Sequence, residues 1–307
     1  MALECAMVRS RAMSMALLRL FLLFAAALPR AAPQSDDVSC GRIVTEYFAR
    51  QVPVTATRNP QDHVIFFLHV PRTAGRTYNS CFLKQAFPPS QRCARSYDRL
   101  RYNVSLPSCK LLSSHDDFSI VSLLPPDAEV ITQLRDPLDR IISAYEFANE
   151  VGVRGVGKRK VPLRPPSSKP GRTDTRNVWP WSHLVLWTQA ILDSKAIAAN
   201  ATNHNITALD VLDPYDNPLT MPLSDFVDHP VVLETLHDGA TLQVLGITNY
   251  SIDPAAGLVR SCFRNNQGAR EQLMQFALQR VRNFTHVGTT DRLMESMTSL
   301  AVRWAVL

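Results

Sequence analysis

An apolar run that passes directly into a basic, hydroxyl-rich turn limits most strongly how this chain can fold. Residues 64–70 form the run, and its β-branched and aromatic composition predicts a parallel strand buried on both faces. The sequence PRTAGRT follows at residues 71–77, and a helix is predicted over residues 77–87. Strand, turn and helix in this order predict the first unit of an α/β domain.

Three further strands are predicted, over residues 110–114, 129–134 and 285–288, and the first two of these each run into a polar residue. The first is followed by His115 and the second by Arg135. Alternation of strands with helices predicts a central parallel sheet flanked by helices. Because ligands gather at the carboxyl ends of parallel strands, the three strand ends predict one site at one edge of the sheet.

The helix after the third strand has the clearest start signal in the chain. Asp136 suits the N-cap and Pro137 suits the first helical position. Apolar residues then recur at helical spacing and predict a core-facing stripe, namely Leu138, Ile141, Ile142 and Tyr145.

The turn after the first strand predicts an anion site. Gly75 permits close approach of the backbone, the following helix offers free N–H groups, and arginine and threonine side chains add donors. The residues of this predicted site are Arg72, Thr73, Ala74, Gly75, Arg76 and Thr77. The turn lacks the G-x-x-x-x-G-K-[ST] pattern of a P-loop kinase. A strand-to-helix turn with solvated arginines is the alternative.

Arg135 and Ser143 predict a second anion site, at the mouth of the helix that follows the third strand. The alternative is that Arg135 pairs with Asp136 or Asp139. His115 is the candidate general base, because a neutral imidazole removes a hydroxyl proton well near neutral pH. We expect its acidic neighbours, Asp116 and Asp117, to orient it.

Charge is concentrated in one segment. The chain has 307 residues, of which 46% are hydrophobic and 20% charged, with a net charge of +6. Residues 154–176 contain eight Lys or Arg and one Asp, so the remainder of the chain is nearly neutral. A near-neutral body argues against nucleic acid as a partner. The basic segment is predicted to be a flexible insertion.

The N-terminal residues predict entry into the secretory pathway. Basic residues followed by the apolar stretch 20–28 indicate a signal peptide or signal anchor over residues 1–33, and any membrane association would run through this segment. Residues 34–60 are interpreted as a polar lead-in and residues 61–307 as the functional domain. Five N-x-[ST] sequons support lumenal exposure, at Asn103, Asn200, Asn205, Asn249 and Asn283.

The cysteines predict disulfides rather than a metal site, since no C-x-x-C or His/Cys ligand spacing occurs. Cys93 and Cys109 form the expected local pair. Cys262 has Cys81 or Cys40 as its candidate partner.

Several blocks of the sequence are together similar to the plant-type protein-tyrosine sulfotransferases, which are relatives of the heparan sulfate 6-O-sulfotransferases. HVPRTAGRT resembles the 5′-phosphosulfate loop of sulfotransferases that use PAPS (3′-phosphoadenosine 5′-phosphosulfate), and QLRDPLDRIISAYEF resembles their 3′-phosphate strand and helix. The further blocks, in order between about residues 62 and 295, are CARSYDRL, CKLLSSHDDFS, WPWSHLVLW, DPYDNPLTMPL and GATLQVLGITN.

The resemblance implies a P-loop-like sulfotransferase fold and in-line transfer of a sulfuryl group from PAPS to tyrosine, with no metal. It implies that residues 72–77 surround the 5′ end of the donor and that Arg135 and Ser143 hold its 3′-phosphate. His115 matches the base of the heparan-type relatives. Most sulfotransferases have lysine where this chain has Arg72, and the plant-type enzymes share the arginine. The implied acceptors are acidic tyrosine-containing peptides or secreted proteins in the Golgi lumen or at the Golgi membrane.

Two other functions stay open at this point. A carbohydrate O-sulfotransferase would share the fold and the donor, and an inactive lumenal binding protein would share only the fold. Plant-type members also carry a transmembrane helix near the C-terminus, whereas this sequence stops at Leu307. A truncated chain, a retained N-terminal anchor and a freely lumenal protein are the three explanations left open.

Overall fold

The structure is a computed structural model, and it describes residues 35–51, 64–93, 109–156, 180–200, 215 and 220–306. The strands are β1 Ile65–Leu68, β2 Leu111–Ser114, β3 Glu129–Leu134 and β4 His286–Thr289. The first helices are α1 Ser35–Ala49, α2, α3 Pro137–Val156 and α4 Trp181–Asn200. Helix α2 runs from Gly75–Tyr78 through a π-helical turn, Asn79–Leu83, to Lys84–Ala86. The later helices are α5 Leu223–Val227, α6 Pro230–Thr235, α7 Gly239–Leu245, α8 Ala256–Asn265, α9 Gln267–Arg282 and α10 Leu293–Val306. Short 3₁₀ turns cover Pro89–Gln91 and Phe118–Leu123.

The four strands form one parallel sheet in the order β2-β1-β3-β4. Leu68 at the end of β1 pairs with Ser114 at the end of β2 and with Thr132 in β3. The carboxyl ends of these strands therefore lie at the same edge. A central parallel sheet flanked by helices confirms the predicted fold class.

Successive side chains of β1 point to opposite faces of the sheet. Phe66 and Leu68 pack with residues of α1, α7, α8 and α9 on one face. Ile65 and Phe67 pack with residues of α2 and α10 on the other. Because every side chain of β1 is buried, the strand reads as an unbroken apolar run. A separate apolar cluster joins α3 to α4, α5 and α6.

The interpretation of residues 34–60 as a polar lead-in was wrong for its first half. Helix α1 docks on the sheet with Val44 and Tyr47 fully buried, and its Cys40 is disulfide-bonded to Cys262 in α8. Charged residues between the buried positions hide this apolar face in the composition of the segment. The second predicted pair, Cys93–Cys109, is also formed.

Helix α3 starts as predicted but buries a different face. The Asp136 Oδ1 atom accepts hydrogen bonds from the backbone N–H groups of Leu138 and Asp139, as expected of an N-cap. Leu138 and Ile142 are 67% and 39% exposed, so half of the predicted apolar stripe faces solvent. The buried residues of the helix include Arg140, Ser143, Ala144, Tyr145 and Ala148. A pattern of hydrophobicity could not indicate this face, because a buried arginine and serine form part of it.

Several predictions lie outside the described residues. The N-terminal signal segment and residues 157–176 of the basic insertion are among them. Among the helices of the described residues, none is long and apolar enough to cross a bilayer.

Candidate active site

The turn after β1 carries two non-glycine residues in the left-handed backbone region. Arg72 has φ 66° and Ala74 has φ 58°. Thr73 between them is fully buried, and its Oγ1 donates to the carbonyl of Val70 at 2.8 Å. Left-handed residues beside a helix N-terminus turn successive N–H groups toward a common point, which is the geometry of an anion cradle. Such residues cost of order 1–3 kcal/mol each, so the surrounding contacts must hold the turn.

Arg72 connects this turn to α3. Its Nε and Nη2 atoms donate to Ser143 Oγ at 2.9 and 2.7 Å. Its guanidinium carbon lies 4.7 Å from the ring centre of Phe147, one helical turn beyond Ser143. The Phe147 ring in turn meets Trp181 edge-on, with ring centres 4.6 Å apart. Residues predicted in two separate anion sites are therefore in direct contact.

Gly75 is needed for the approach of a protein side chain. A Cβ atom at this position would lie 2.1 and 2.2 Å from Cδ2 and Nε2 of His69. The imidazole of His69 therefore occupies the side of Gly75 on which a Cβ would lie. The close approach of a ligand to the Gly75 backbone stays a prediction.

His115 lies where β2 ends and is oriented by a backbone carbonyl. Its Nδ1 is 3.1 Å from the carbonyl oxygen of His69, and the two imidazoles stack with their centres 4.0 Å apart. A carbonyl oxygen can only accept, so Nδ1 carries the proton and the lone pair of the neutral ring lies on Nε2. This is the tautomer that a general base requires at Nε2.

The acidic neighbours of His115 accept hydrogen bonds from nearby serine and threonine residues, and their role in orienting His115 stays a prediction. Asp116 Oδ2 accepts from Ser114 Oγ at 2.6 Å. Asp117 accepts from the backbone N–H and the hydroxyl of Ser119 and of Thr248. The Asp117 carboxylate thereby caps the 3₁₀ turn Phe118–Leu123 and ties it to the chain after α7, because all four donors converge on it.

Burial keeps both imidazoles neutral. It lowers the pKa of His115 to about 4, although the hydrogen bond to the His69 carbonyl opposes the shift. The pKa of His69 lies well below its ordinary value, first because of burial and then because of the nearby His115 and Arg72. The candidate site therefore holds neutral imidazoles beside a permanent cation.

Gln243 in α7 joins the ends of β1 and β2. Its Nε2 lies 3.1 Å from the carbonyl oxygens of both His69 and His115 and 3.3 Å from that of Asp116. The residue is fully buried. Its amide group donates to backbone carbonyls at the sheet edge that have no partner in the parallel hydrogen-bond ladder. The backbone that carries the His69 and His115 imidazoles is thereby held in place.

Arg76 and Arg135 are placed at the same edge with their charges available. Arg76 is exposed in the first turn of α2, and Arg135 is partly exposed just beyond β3. In the part of the chain that the structure describes, neither side chain makes a hydrogen bond or an ion pair. Asp136, the alternative partner of Arg135, accepts from backbone N–H groups of α3.

Four residues of the site were not predicted from the sequence, and they are His69, Arg140, Phe147 and Gln243. His69 and Gln243 are polar residues inside apolar stretches, FFLHV and ATLQVLG, and that interruption was their signal. Arg140 and Phe147 carry no such signal. Across the described ranges there is no cluster of three or more His, Cys, Asp or Glu side chains that could hold a metal ion.

The parallel sheet, the anion-type turn after β1 and the capped, arginine-bearing helix after β3 together define a P-loop-like sulfotransferase fold. No protein-family model matches the chain. It is 35% identical over 259 residues to a protein-tyrosine sulfotransferase of Arabidopsis thaliana, a match that covers 82% of this chain and 51% of the plant protein. Over the matched residues the chain belongs to the protein-tyrosine sulfotransferase family. It spans about half the length of this curated relative.

Proposed function

We propose that this protein transfers the sulfuryl group of PAPS to the phenolic oxygen of tyrosine in proteins or peptides of the secretory pathway. The observation that carries the proposal is the neutral His115, bonded at Nδ1 to the His69 carbonyl, at the same sheet edge as the Arg72–Ser143 pair. A base and a fixed cation are the two groups that an in-line sulfuryl transfer needs. The family of the chain supports the same reaction.

In the proposed reaction the phenolic oxygen attacks sulfur while the bond from sulfur to the bridging phosphate oxygen breaks. His115 Nε2 takes the phenolic proton, and the electron pair of the broken bond stays on the leaving phosphate. Arg72 stabilises the charge that grows on this oxygen. The donor would be held by the turn residues Thr73, Ala74, Gly75, Arg76 and Thr77 at its 5′ end and by Arg135 and Ser143 at its 3′-phosphate.

Arginine at position 72 fits electrostatic stabilisation better than proton donation. A guanidinium stays protonated in proteins and cannot serve as a practical acid. It can, however, offer two parallel N–H donors to one anionic group. Its contacts with Ser143 and Phe147 hold the guanidinium in one position. A charge that is already in place stabilises the transition state without the cost of reorganising the side chain during the reaction.

Acidic tyrosine-containing peptides are the proposed acceptors, in the Golgi lumen or at the Golgi membrane. The +7 segment 154–176 would steer such peptides by its charge. Deleting residues 157–176 should then raise KM for an acidic peptide at low salt and leave KM for a neutral tyrosine peptide unchanged. An unchanged KM for the acidic peptide would remove the steering role.

The test of the function is a labelled-donor assay that offers an acidic tyrosine peptide and desulfated heparan side by side. We expect transfer to the peptide, and its loss in the His115→Ala variant. Transfer to heparan alone would make the protein a carbohydrate sulfotransferase. If neither acceptor is labelled and PAP (the desulfated donor product) fails to raise the melting temperature, the protein does not bind the donor.

A further inference from the structure

Arg140 is a buried cation beneath the turn that follows β1. It lies in the second turn of α3, and only 4% of its surface is exposed. Its Nε donates to the carbonyl of Pro71 at 3.1 Å, and its Nη1 donates to the carbonyl of Leu236, just after α6, at 3.1 Å. One side chain therefore joins the turn, α3 and the end of α6.

The charge of Arg140 has no compensating carboxylate among the residues that the structure describes. Nη2 is buried and has no hydrogen-bond partner among the described residues. No Asp or Glu side chain of the same residues lies within ion-pair distance of it. Burial lowers the pKa of its guanidinium to about 10, which still leaves the group charged at neutral pH. A buried charge without a counter-charge destabilises the folded protein, so packing alone does not account for an arginine at this position.

The Pro71 carbonyl connects Arg140 to the strained part of the turn. This carbonyl belongs to the peptide unit that ends at the nitrogen of Arg72, whose φ is 66°. A hydrogen bond from a charged donor fixes the plane of that peptide unit. The hydrogen bond from Arg140 therefore acts on the peptide unit directly before the left-handed Arg72.

We propose that Arg140 is a positioning residue for the donor site, and that the phosphate groups of the bound nucleotide supply a negative charge that the described residues do not provide. The inference rests on the proposed function, because it takes the donor to be an anionic nucleotide bound at this turn. Arg140 acts in two ways, by fixing the turn through the Pro71 carbonyl and by adding a positive potential beneath it. It is not required to touch the donor.

The test compares PAP binding by the wild-type chain and by the Arg140→Gln and Arg140→Lys variants, with titration calorimetry and thermal unfolding. Glutamine can still form hydrogen bonds but carries no charge. Lysine keeps the charge but lacks the planar guanidinium with its several N–H donors. We expect Arg140→Gln to weaken PAP binding about 10- to 100-fold and to raise KM for PAPS without changing KM for the acceptor peptide. Arg140→Lys should stay within about threefold of wild type in PAP affinity.

Arg282→Gln is the matched control, since Arg282 is exposed at the end of α9, near the opposite edge of the sheet. It removes one positive charge and should leave PAP affinity unchanged. A purely structural Arg140 would lower the melting temperature of the free protein but not the additional shift caused by PAP. A folded Arg140→Gln variant with wild-type PAP affinity would overturn the inference.

The experiment distinguishes a failure of the inference about Arg140 from a failure of the proposed function. If wild type itself does not bind PAP, the proposed function fails. If Arg140→Gln does not fold, the Arg140→Lys variant is the test. PAP affinity of this variant equal to that of wild type supports the role of the charge. A more than tenfold loss of affinity, or a lysine variant that also does not fold, contradicts it.

Discussion

The guanidinium of Arg72 donates two hydrogen bonds to the hydroxyl oxygen of Ser143, from Nε at 2.9 Å and from Nη2 at 2.7 Å, across 71 positions of sequence. The contact joins the turn after β1 to the helix after β3. Two stretches that each predict an anion site are thus in direct contact. This geometry makes the two residues energetically dependent on each other, because removal of either frees its partner.

Replacing Arg72 by alanine should lower kcat/KM for PAPS by about 10²–10³-fold, since the proposed mechanism then loses one charged donor to the leaving oxygen. Arg72→Lys should keep about a tenth or more of the activity, because the charge remains. Ser143→Ala should cost less in the Arg72→Ala background than in wild type. Initial rates of wild type, the two single alanine variants and the double alanine variant check this coupling. A folded but inactive lysine variant would contradict the electrostatic role.

The pH dependence of catalysis should reflect the low pKa of His115. A base is active when neutral, so activity falls as the pH drops through the pKa of the base. With that pKa at about 4, kcat/KM for PAPS should be flat from pH 8 down to about pH 5. An acidic limb near pH 6.5, the ordinary histidine value, would show that His115 is not the neutral buried base described here.

Stability should fall in the same acidic range. His115 binds a proton below about pH 6.5 in the unfolded chain but only below about pH 4 in the folded one. The unfolded state therefore binds more protons between these values, and the free energy of unfolding decreases as the pH is lowered from 6.5 to 4. Urea titrations of wild type and His115→Gln should show a smaller decrease in the variant. His183→Gln, which changes an exposed histidine, should behave like wild type.

Gly75→Ala should disrupt the site through His69. The added Cβ would lie 2.1 Å from the imidazole, and overpacking of this kind costs about 1–3 kcal/mol. Activity should fall further, because His69 carries the carbonyl that orients His115. Gly257→Ala is the matched control: this helical glycine has nothing within 4 Å of a new Cβ, so alanine should stabilise the protein by about 0.5–1 kcal/mol. Equal melting temperatures for the two variants would contradict the packing.

Gln243→Leu should separate the ends of β1 and β2. The change removes a buried donor that lies within 3.3 Å of three carbonyl oxygens, at a cost of about 1–3 kcal/mol. We expect kcat to fall more than KM for PAPS, because the base moves while the donor turn remains. Gln279→Leu, an exposed change in α9, should leave both constants unaltered. A Gln243→Leu variant with wild-type kcat would remove the residue from the site.

Local signals in the sequence determined the strands, the start of α3 and the regions that form the site. β3 was predicted at its observed bounds, Glu129–Leu134, and Asp136 was predicted as the cap it forms. These features follow from residues close together in the chain. A parallel α/β order then requires that the strand ends share an edge.

The tertiary structure alone decided which side chains meet at that edge. Two of these contacts join residues far apart in sequence, namely Arg72 with Ser143 and Cys40 in α1 with Cys262. A third depends on close packing, because the imidazole of His69 lies where a Cβ at position 75 would be. The burial of Arg140 is the clearest case. Sequence periodicity assigns charged residues to solvent, and only the packing of α3 against the turn and the end of α6 places this arginine where two carbonyls hold it.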